Sequence, residues 1–287
     1  MPELPEVETV RRGLAPFVEG ARVERITLNR PNLRFPFPQG FAAGLEGRTI
    51  AHLGRRAKYL IATLSDGSVW LSHLGMTGAF LVGDSPIEEP SRINPGDASG
   101  KHVHFEALLA HPARGPVTLS YSDPRRFGFM DLFAPGAPNP YTDPLGPEPL
   151  GNSLDALYLV DKLRAKKGPI KTVLLDQRVI AGLGNIYVCE ALHASGIDPR
   201  RAAGSLTGEE IDRLVVAIRQ VLEAAIIAGG STLRDFANAD GKPGYFQHNF
   251  AVYGREGEPC GRPGCGGTIV RIVQAGRSTF LCPACQH

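Results

Sequence analysis

Hydrophobic residues near the start of the chain recur at the spacing of an α-helix. Val7, Val10, Leu14 and Phe17 share one face of such a helix, and polar residues occupy the other. The pattern predicts a first helix that packs against a core and ends near residues 16–20. We therefore expect the N-terminal segment to be anchored.

Between residues 22 and 133 the pattern changes to short apolar runs separated by turn residues. Eight of these runs fit strands: 22–28, 49–53, 59–64, 68–74, 79–82, 102–109, 117–120 and 128–133. Short strands at this spacing are typical of a β-sandwich or a barrel. Residues 83–100 interrupt the series with an acidic, proline-containing segment that predicts a loop.

Residues 134–151 contain six prolines and no apolar periodicity, which is typical of a linker. Helical spacing returns after it in three stripes: Leu157, Val160 and Leu163; residues 186–193; and residues 211–226. Thr207 and Glu210 have capping-box spacing before the third stripe. The pattern predicts an α+β protein with a β-rich domain over 1–133, a helical domain over 152–247 and a C-terminal module over 248–287.

Composition fits this division. A chain of 287 residues with 43% hydrophobic side chains has enough apolar material for two cores. The best candidate for a membrane span, residues 214–227, contains Arg219 and Glu223, so no transmembrane helix is expected. Three glutamates precede Arg11, which does not fit a signal peptide. We expect a soluble, cytoplasmic protein with no membrane partner.

Four of the five cysteines form two close pairs near the C-terminus, Cys260 with Cys265 and Cys282 with Cys285. The pairs flank a segment that predicts a β-hairpin, and Arg277 directly follows its turn. Four thiolates with this spacing close a tetrahedral Zn²⁺ site with no open position. The sequence therefore predicts one structural zinc ion that holds the hairpin together.

Basic residues are concentrated locally, although the formal net charge is only +2. Lys167 and Lys171 belong to a basic run that precedes a glycine-containing turn, residues 181–185. Asn185 is suited to cap the helix that follows, and such a helix start can bind phosphate. Alone, the run also fits a solvated helix face and the turn a plain connection. Beside a zinc module, they favour contact with a nucleic-acid backbone.

Two further turns carry apolar and cationic side chains. Met76 lies between glycines in the first, and Arg125 and Phe127 lie in the second. We call Met76, Arg125 and Phe127 the wedge residues. Single side chains of these types usually belong to a core, but on rigid turns they can enter a base stack and fill the space of an extruded nucleotide.

The first residues offer candidate chemistry. If Met1 is removed, Pro2 begins the chain with a free secondary amine beside the Glu3 carboxylate. A free α-amine titrates near ~8, so a fraction is neutral and nucleophilic at neutral pH. With Met1 retained the nitrogen is an unreactive amide. On these residues alone, a proline-stiffened entry into the helix is the simpler interpretation.

Seven features together resemble the bacterial formamidopyrimidine-DNA glycosylase family, and they occur in the family's order. They are PELPEVET at 2–9, RRAKYL at 55–60, HLGM at 73–76, DPRRFG at 123–128, GNIY at 184–187, DGKPGY at 240–245 and the four cysteines. The resemblance implies a β-sandwich with a leading helix, a helix-two-turn-helix module and a zinc finger. It also decides between the two interpretations of the N-terminus in favour of catalysis.

The activity that the resemblance implies is bifunctional excision of oxidised purines from DNA, chiefly 8-oxoguanine and formamidopyrimidines. Pro2 matches the family's nucleophile and Glu3 its acid. Lys58 matches the lysine that assists β-elimination, and Arg277 matches the zinc-finger arginine linked to δ-elimination. One structural Zn²⁺ and no organic cofactor are expected.

The resemblance also implies a DNA-binding surface. His102, Lys167, Lys171 and Asn185 match DNA-contacting positions, and the wedge residues match the side chains that fill the vacated space, with Arg125 facing the unpaired base. Glu6 matches a carboxylate near the pocket, and residues 231–247 match a loop that covers the everted base. The expected partner is double-stranded DNA with oxidised bases or abasic sites, bound by a monomer.

Two features depart from the family pattern. The first cysteine pair is separated by four residues where two are common, and the 83–100 segment is longer than usual, which weakens the match of His102. Two alternatives remain at this point. One is an endonuclease VIII-like glycosylase for oxidised pyrimidines, which the Leu4-Pro5 start disfavours; the other is a non-catalytic, zinc-containing protein that binds damaged DNA.

Overall fold

The computed structural model describes residues 2–83, 100–231 and 245–287. The chain forms two compact units, the first from Met1–Asp143 with Ala228–Tyr245 and the second from Pro144–Ile227 with Phe246–His287. The boundary at Asp143 falls inside the predicted linker. Most of the two predicted loops at 83–100 and 231–247 lies outside the described residues.

The first unit begins with helix α1, Leu4–Val18. Glu3 and Glu6 form a capping box at its start, and Pro5 fits the first turn, where a backbone donor has no helical partner. The predicted apolar face is buried through Val7, Val10 and Leu14. The expectation of an anchored N-terminal helix is therefore confirmed.

Two antiparallel sheets of four strands follow, ordered β1-β6-β7-β5 and β2-β3-β4-β8. This arrangement is a β-sandwich rather than a barrel. The strand bounds are β1 Arg22–Leu28, β2 Ile50–Arg56, β3 Tyr59–Leu64, β4 Val69–His73, β5 Ala79–Gly83, β6 Val103–His111, β7 Gly115–Ser122 and β8 Phe129–Phe133.

The core of the first unit contains a cluster of aromatic side chains. The Trp70 ring lies 5.3 Å from that of Phe105, which lies 6.3 Å from that of Phe41. Phe41 begins a short helix, α2 (Phe41–Leu45), that the sequence pattern did not predict. Five residues are too few to show helical periodicity, and packing of Phe41 and Leu45 into this core stabilises the turn.

The second unit contains four α-helices within its described residues: α3 Ala156–Leu163, α4 Ile170–Leu174, α5 Asn185–Ser195 and α6 Gly208–Ile227. The capping box of α6 is confirmed, because Thr207 N–H donates to Glu210 Oε2 at 2.8 Å. The stripe assigned to α3 was confirmed at Leu163 and wrong at Leu157. Leu157 is 81% exposed, whereas Leu159 and Leu163 are buried, so the buried face is rotated from the predicted one.

A two-stranded hairpin, β9 (Val270–Gln274) with β10 (Arg277–Leu281), also belongs to the second unit. Ala275 and Gly276 have φ angles of 47° and 73°, the left-handed conformation that a two-residue turn needs to match strand twist. The predicted hairpin is thus confirmed. No helix in the described parts of the chain is long and apolar enough to cross a membrane.

Candidate functional site

The N-terminal residues lie buried at the start of α1. Pro2 and Glu3 are both buried. Glu6 accepts a hydrogen bond from Glu3 N–H through Oε2 at 2.8 Å, and from the N–H and hydroxyl of Ser231 through Oε1 at 2.8 and 3.0 Å. One buried carboxylate therefore ties the start of the chain to Ser231, where the predicted covering loop begins.

Lys58 lies in the tight turn between β2 and β3, and its side chain is buried. Strand β2 contacts α1 through an ion pair, in which Arg55 of the strand lies 3.3 Å from the Glu8 carboxylate of the helix. Arg11 and Arg12, also in α1, bind the same carboxylate at 2.8 Å. Burial would raise the pKa of Glu8, but the hydrogen bonds from Arg11 and Arg12 outweigh it and lower that pKa to about 2. An ionised Glu8 thus joins the first helix to the hairpin that carries Lys58.

His73 supports the turn that carries Met76. Burial lowers the pKa of His73 to about 4, and the charges of Lys58 and Arg34 act in the same direction. The ring is therefore neutral at pH 7, and its Nδ1 accepts a hydrogen bond from Gly75 N–H at 3.1 Å. This bond orients the turn one residue before Met76.

A buried carboxylate joins the two turns that carry the wedge residues. Asp123 accepts from the Thr77 hydroxyl through Oδ1 at 2.5 Å and from Gly128 N–H through Oδ2 at 2.8 Å. Thr77 Oγ1 in turn accepts from Arg125 N–H at 3.2 Å. The two turns therefore share one hydrogen-bonded frame.

Glycines let these turns touch. A Cβ on Gly75 would lie 2.3 Å from Gly128 N, so no other residue fits there without movement. Arg125 and Phe127 project from the second of these turns. Arg125 Cζ lies 4.7 Å from the centre of the Phe127 ring, and Phe127 is 42% exposed. With Met76 they line a groove of about 500 Å³. The structure thus brings the wedge residues together.

The segment with His102 passes beside the same frame. Asp123 N–H donates to His102 O at 3.0 Å, and His104 Nε2 lies 2.9 Å from Asp123 O. Lys101 is exposed and His102 is half-buried. The predicted DNA-contacting histidine therefore lies near the wedge residues, although the chain before residue 100 is outside the described range.

The four cysteines of the second unit converge. Their sulphurs lie within 4.8 Å of one another, with 3.9 Å between Cys260 and Cys285 and 3.5 Å between Cys265 and Cys282. Zn–S bonds of about 2.3 Å in a tetrahedron place sulphurs about 3.8 Å apart. A Cβ on Gly267 would lie 2.7 Å from Cys282 Sγ, so the chain leaves room for the sulphurs. The donors fit zinc.

Arg277 is exposed at the start of β10. Behind it, Ser278 O accepts hydrogen bonds from Asn185 Nδ2 at 2.9 Å and Lys171 Nζ at 3.0 Å. Lys171 Nζ also donates to Thr279 Oγ1 at 2.7 Å. Side chains from α4 and α5 therefore hold the strand that presents Arg277.

Comparison with known proteins finds three family models along the chain. The formamidopyrimidine-DNA glycosylase N-terminal domain matches residues 1–130, and the formamidopyrimidine-DNA glycosylase H2TH domain matches residues 145–237. The zinc finger found in FPG and IleRS matches residues 257–287.

Full-length relatives agree with these models. The chain is 54% identical to a formamidopyrimidine-DNA glycosylase from Rhizobium leguminosarum bv. trifolii and 53% identical to one from Brucella suis biovar 1, with 100% of each chain covered. The chain belongs to the formamidopyrimidine-DNA glycosylase family. The predicted fold, the family resemblance seen in the sequence and the expected structural zinc are thereby confirmed.

Solved structures of the family show the same fold. The MutM (Fpg) protein of Thermus thermophilus is 42% identical with a TM-score of 0.83, covering 99% of this chain and 98% of that one. The Lactococcus lactis Fpg in complex with abasic-site DNA is 36% identical with a TM-score of 0.85, and both chains are covered completely. A mutant of the same L. lactis protein has been solved with DNA that contains Fapy-dG.

Two residues that the sequence matched to DNA contacts occupy positions that the sequence did not predict. Lys171 is completely buried, and its ammonium donates to Ser278 O and Thr279 Oγ1 within the second unit. Asn185 is the first residue of α5, and Gly184 is the N-cap. The Asn185 amide points to Ser278 instead of to the helix start. By contrast, Lys167 is exposed, as a phosphate contact requires.

Sequence reasoning missed two buried carboxylates that shape the site. The first is Asp123, which begins the DPRRFG motif but to which the sequence pattern assigned no role. The second is Glu190, which accepts hydrogen bonds from the N–H groups of Ala251, Val252 and Tyr253 at 2.8, 3.0 and 2.8 Å. A single charged residue within the apolar 186–193 stripe was the available signal, since buried charges need partners.

Proposed function

We propose that the chain excises oxidised purines from double-stranded DNA with Pro2 as nucleophile, once Met1 has been removed. The family activity is that of a DNA glycosylase with AP lyase activity that removes oxidised purines, and we expect 8-oxoguanine and formamidopyrimidines to be its main substrates. The observation that supports the role of Pro2 is the buried start of α1, where Glu6 holds the backbone of Glu3. A nucleophile must be held in place to react efficiently.

The reaction begins when the Pro2 nitrogen forms a bond to C1′ of the everted nucleotide. The bond from C1′ to the base breaks, and its electron pair leaves with the base, which takes up a proton. Glu3 supplies a proton to the sugar or the departing base. Opening of the sugar then gives a positively charged iminium, because Pro2 is a secondary amine.

Strand cleavage follows from that positive charge. The iminium draws electrons from C2′, so a proton is lost there and the 3′ phosphate leaves by β-elimination. Lys58 assists this step in the proposal. A second proton loss expels the 5′ phosphate by δ-elimination, to which we assign Arg277. The product is a one-nucleotide gap, and hydrolysis of the iminium frees Pro2.

Recognition of DNA is assigned to both units. In the first, the wedge residues fill the vacated space, Arg125 faces the unpaired base, and His102 contacts the backbone. In the second, Lys167 contacts phosphate. The division into a catalytic domain over 1–133, a helical domain over 152–247 and a zinc finger over 248–287 is part of this proposal, as is action in the bacterial cytoplasm, where the DNA lies.

Borohydride trapping tests the nucleophile. Protein whose intact mass shows loss of Met1 should form a covalent adduct with duplex DNA that contains 8-oxoguanine, because reduction fixes the iminium. The same chain with Met1 retained should bind this DNA but form no adduct. Equal trapping by both forms would exclude Pro2 and point to a lysine amine.

Substitution of Glu3 tests the acid. Glu3→Gln keeps the size of the side chain but cannot donate an acidic proton, so base release should slow by about 10²–10⁴-fold. DNA affinity should stay close to that of the unaltered chain. Loss of binding together with activity would indicate a structural task for Glu3 rather than a catalytic one.

A further inference from the structure

His193 lies in the last turn of α5, directly beside the zinc-binding sulphurs. Its Nε2 is 3.3 Å from Cys260 Sγ and 3.8 Å from Cys285 Sγ, and the residue is buried. The four sulphurs already form a closed tetrahedral set. His193 therefore lies outside the coordination sphere, against the edge that joins Cys260 and Cys285.

The chemistry of that edge decides which ring nitrogen carries the proton. Zinc-bound cysteines are thiolates, which accept hydrogen bonds and have no proton to donate. Four thiolates on one Zn²⁺ also leave a net charge of −2 in a largely buried place. An imidazole that carries a proton on Nε2 can donate a hydrogen bond to such a thiolate.

We propose that His193 is a positioning residue for the zinc site, donating an Nε2–H hydrogen bond to the Cys260 thiolate, with Cys285 as its second neighbour. The bond withdraws charge from the sulphur and fixes its direction toward the metal. The zinc site is thereby linked to α5, the helix whose first residue, Asn185, binds the carbonyl of Ser278.

The unusual spacing of the first cysteine pair supports this arrangement. Arg262 lies between Cys260 and Cys265, and its Nη2 donates to the backbone carbonyls of His193 and Ala194. A cation at these carbonyls is favourable, because they form the negative end of a helix. The loop between the cysteines thus holds the backbone of His193 while the imidazole reaches back to the sulphur.

Zinc release and cobalt spectra test the proposal on the full-length, zinc-loaded protein. His193→Phe fills the space without a donor, whereas His193→Gln places an N–H near the position of Nε2. We expect His193→Phe to release zinc to a chelator at least about tenfold faster, and His193→Gln to recover most of that loss. In the Co²⁺-substituted protein, the sulphur-to-cobalt charge-transfer bands should move to longer wavelength in His193→Phe and much less in His193→Gln.

Ser195→Ala is the matched control, because the Ser195 hydroxyl in the same helix end donates to Ala191 O and Leu192 O at 2.9 and 3.2 Å and not to a sulphur. It should leave the cobalt bands in place. Unmoved bands in His193→Phe, or equal zinc release from His193→Phe and His193→Gln, would overturn the hydrogen bond. Cobalt bands of an S₃N site in the unaltered protein would overturn it too, because His193 would then be a ligand. Circular dichroism checks that each variant is folded.

Discussion

Two lysines four positions apart have different tasks in this chain. Both resemble phosphate-contacting residues in sequence, yet Lys167 is exposed and Lys171 is fully buried beneath the strand that carries Arg277. We expect their ammonium groups to contribute differently to DNA binding. Lys167 would make a direct electrostatic contact, whereas Lys171 would hold the strand of Arg277 in place.

Salt dependence separates these tasks. Lys167→Met should lower the slope of log affinity against log salt by about 0.9, the value of one phosphate contact in duplex DNA. Lys171→Met should leave that slope unchanged, because no contact to phosphate is lost. It should instead lower the free energy of unfolding by about 1–3 kcal/mol, because Ser278 O and Thr279 Oγ1 lose a buried donor.

Binding titrations at several salt concentrations and denaturant unfolding measure both effects. Lys167→Met is the matched control for charge removal, since the same substitution is made at an exposed site. A slope change in Lys171→Met as large as that in Lys167→Met would show that the ammonium reaches DNA after all.

At this scale the sequence identifies residue types but not where side chains point. The GNIY motif predicts Asn185 as the N-cap of α5, yet the preceding Gly184 occupies the N-cap position. The Asn185 amide instead binds Ser278 O, 93 positions away. Such a contact depends on how the hairpin folds back on α5. The spacing of residues along the chain therefore cannot predict this contact.

Secondary-structure elements were predicted better than individual contacts. The bounds of β1 and β3 agree with the sequence pattern, because alternation and turn residues are local signals. Helix α3 was located, but its buried face was misassigned. Leu157 fits the helical spacing equally well, and only the packing of neighbouring elements determines which apolar residues become buried.

The wedge turns show how one residue can organise two elements. Asp123→Asn keeps the shape of the side chain but replaces one acceptor by an amide, which cannot accept from Thr77 and Gly128 together. We expect a loss of about 1–3 kcal/mol in unfolding free energy. We also expect weaker destacking of the base beside the lesion, because Arg125 and Phe127 lose their frame.

Fluorescence of 2-aminopurine beside an 8-oxoguanine measures this destacking, which should rise less in Asp123→Asn than in the unaltered protein. Asp131→Asn, a half-buried carboxylate on β8, serves as the control. If both variants gave the same fluorescence change and the same stability, the frame would have no part in placing the wedge residues.

The whole molecule divides its tasks between two units. The first holds Pro2, Glu3, Lys58 and the wedge residues, and the second holds Lys167, Arg277 and the zinc ligands. The net charge of +2 gives little general attraction to DNA. Binding must therefore rely on local groups such as the acid-free finger from residue 261 onward, whose hairpin is too small to fold on its own apolar core.

Zinc removal should consequently disable binding without unfolding the catalytic unit. The single tryptophan, Trp70, is buried in the core of the first unit and reports on that unit alone. On chelation we expect DNA affinity to fall at least tenfold, which is about 1.4 kcal/mol, while the emission maximum of Trp70 stays constant. Cys282→Ser should reproduce this result without a chelator, and added zinc should restore the chelated chain but not the variant. A red shift of Trp70 emission on zinc loss would mean that the first unit depends on the finger for its stability. Full DNA affinity of the zinc-free chain would show that Arg277 and its hairpin do not contribute to DNA binding.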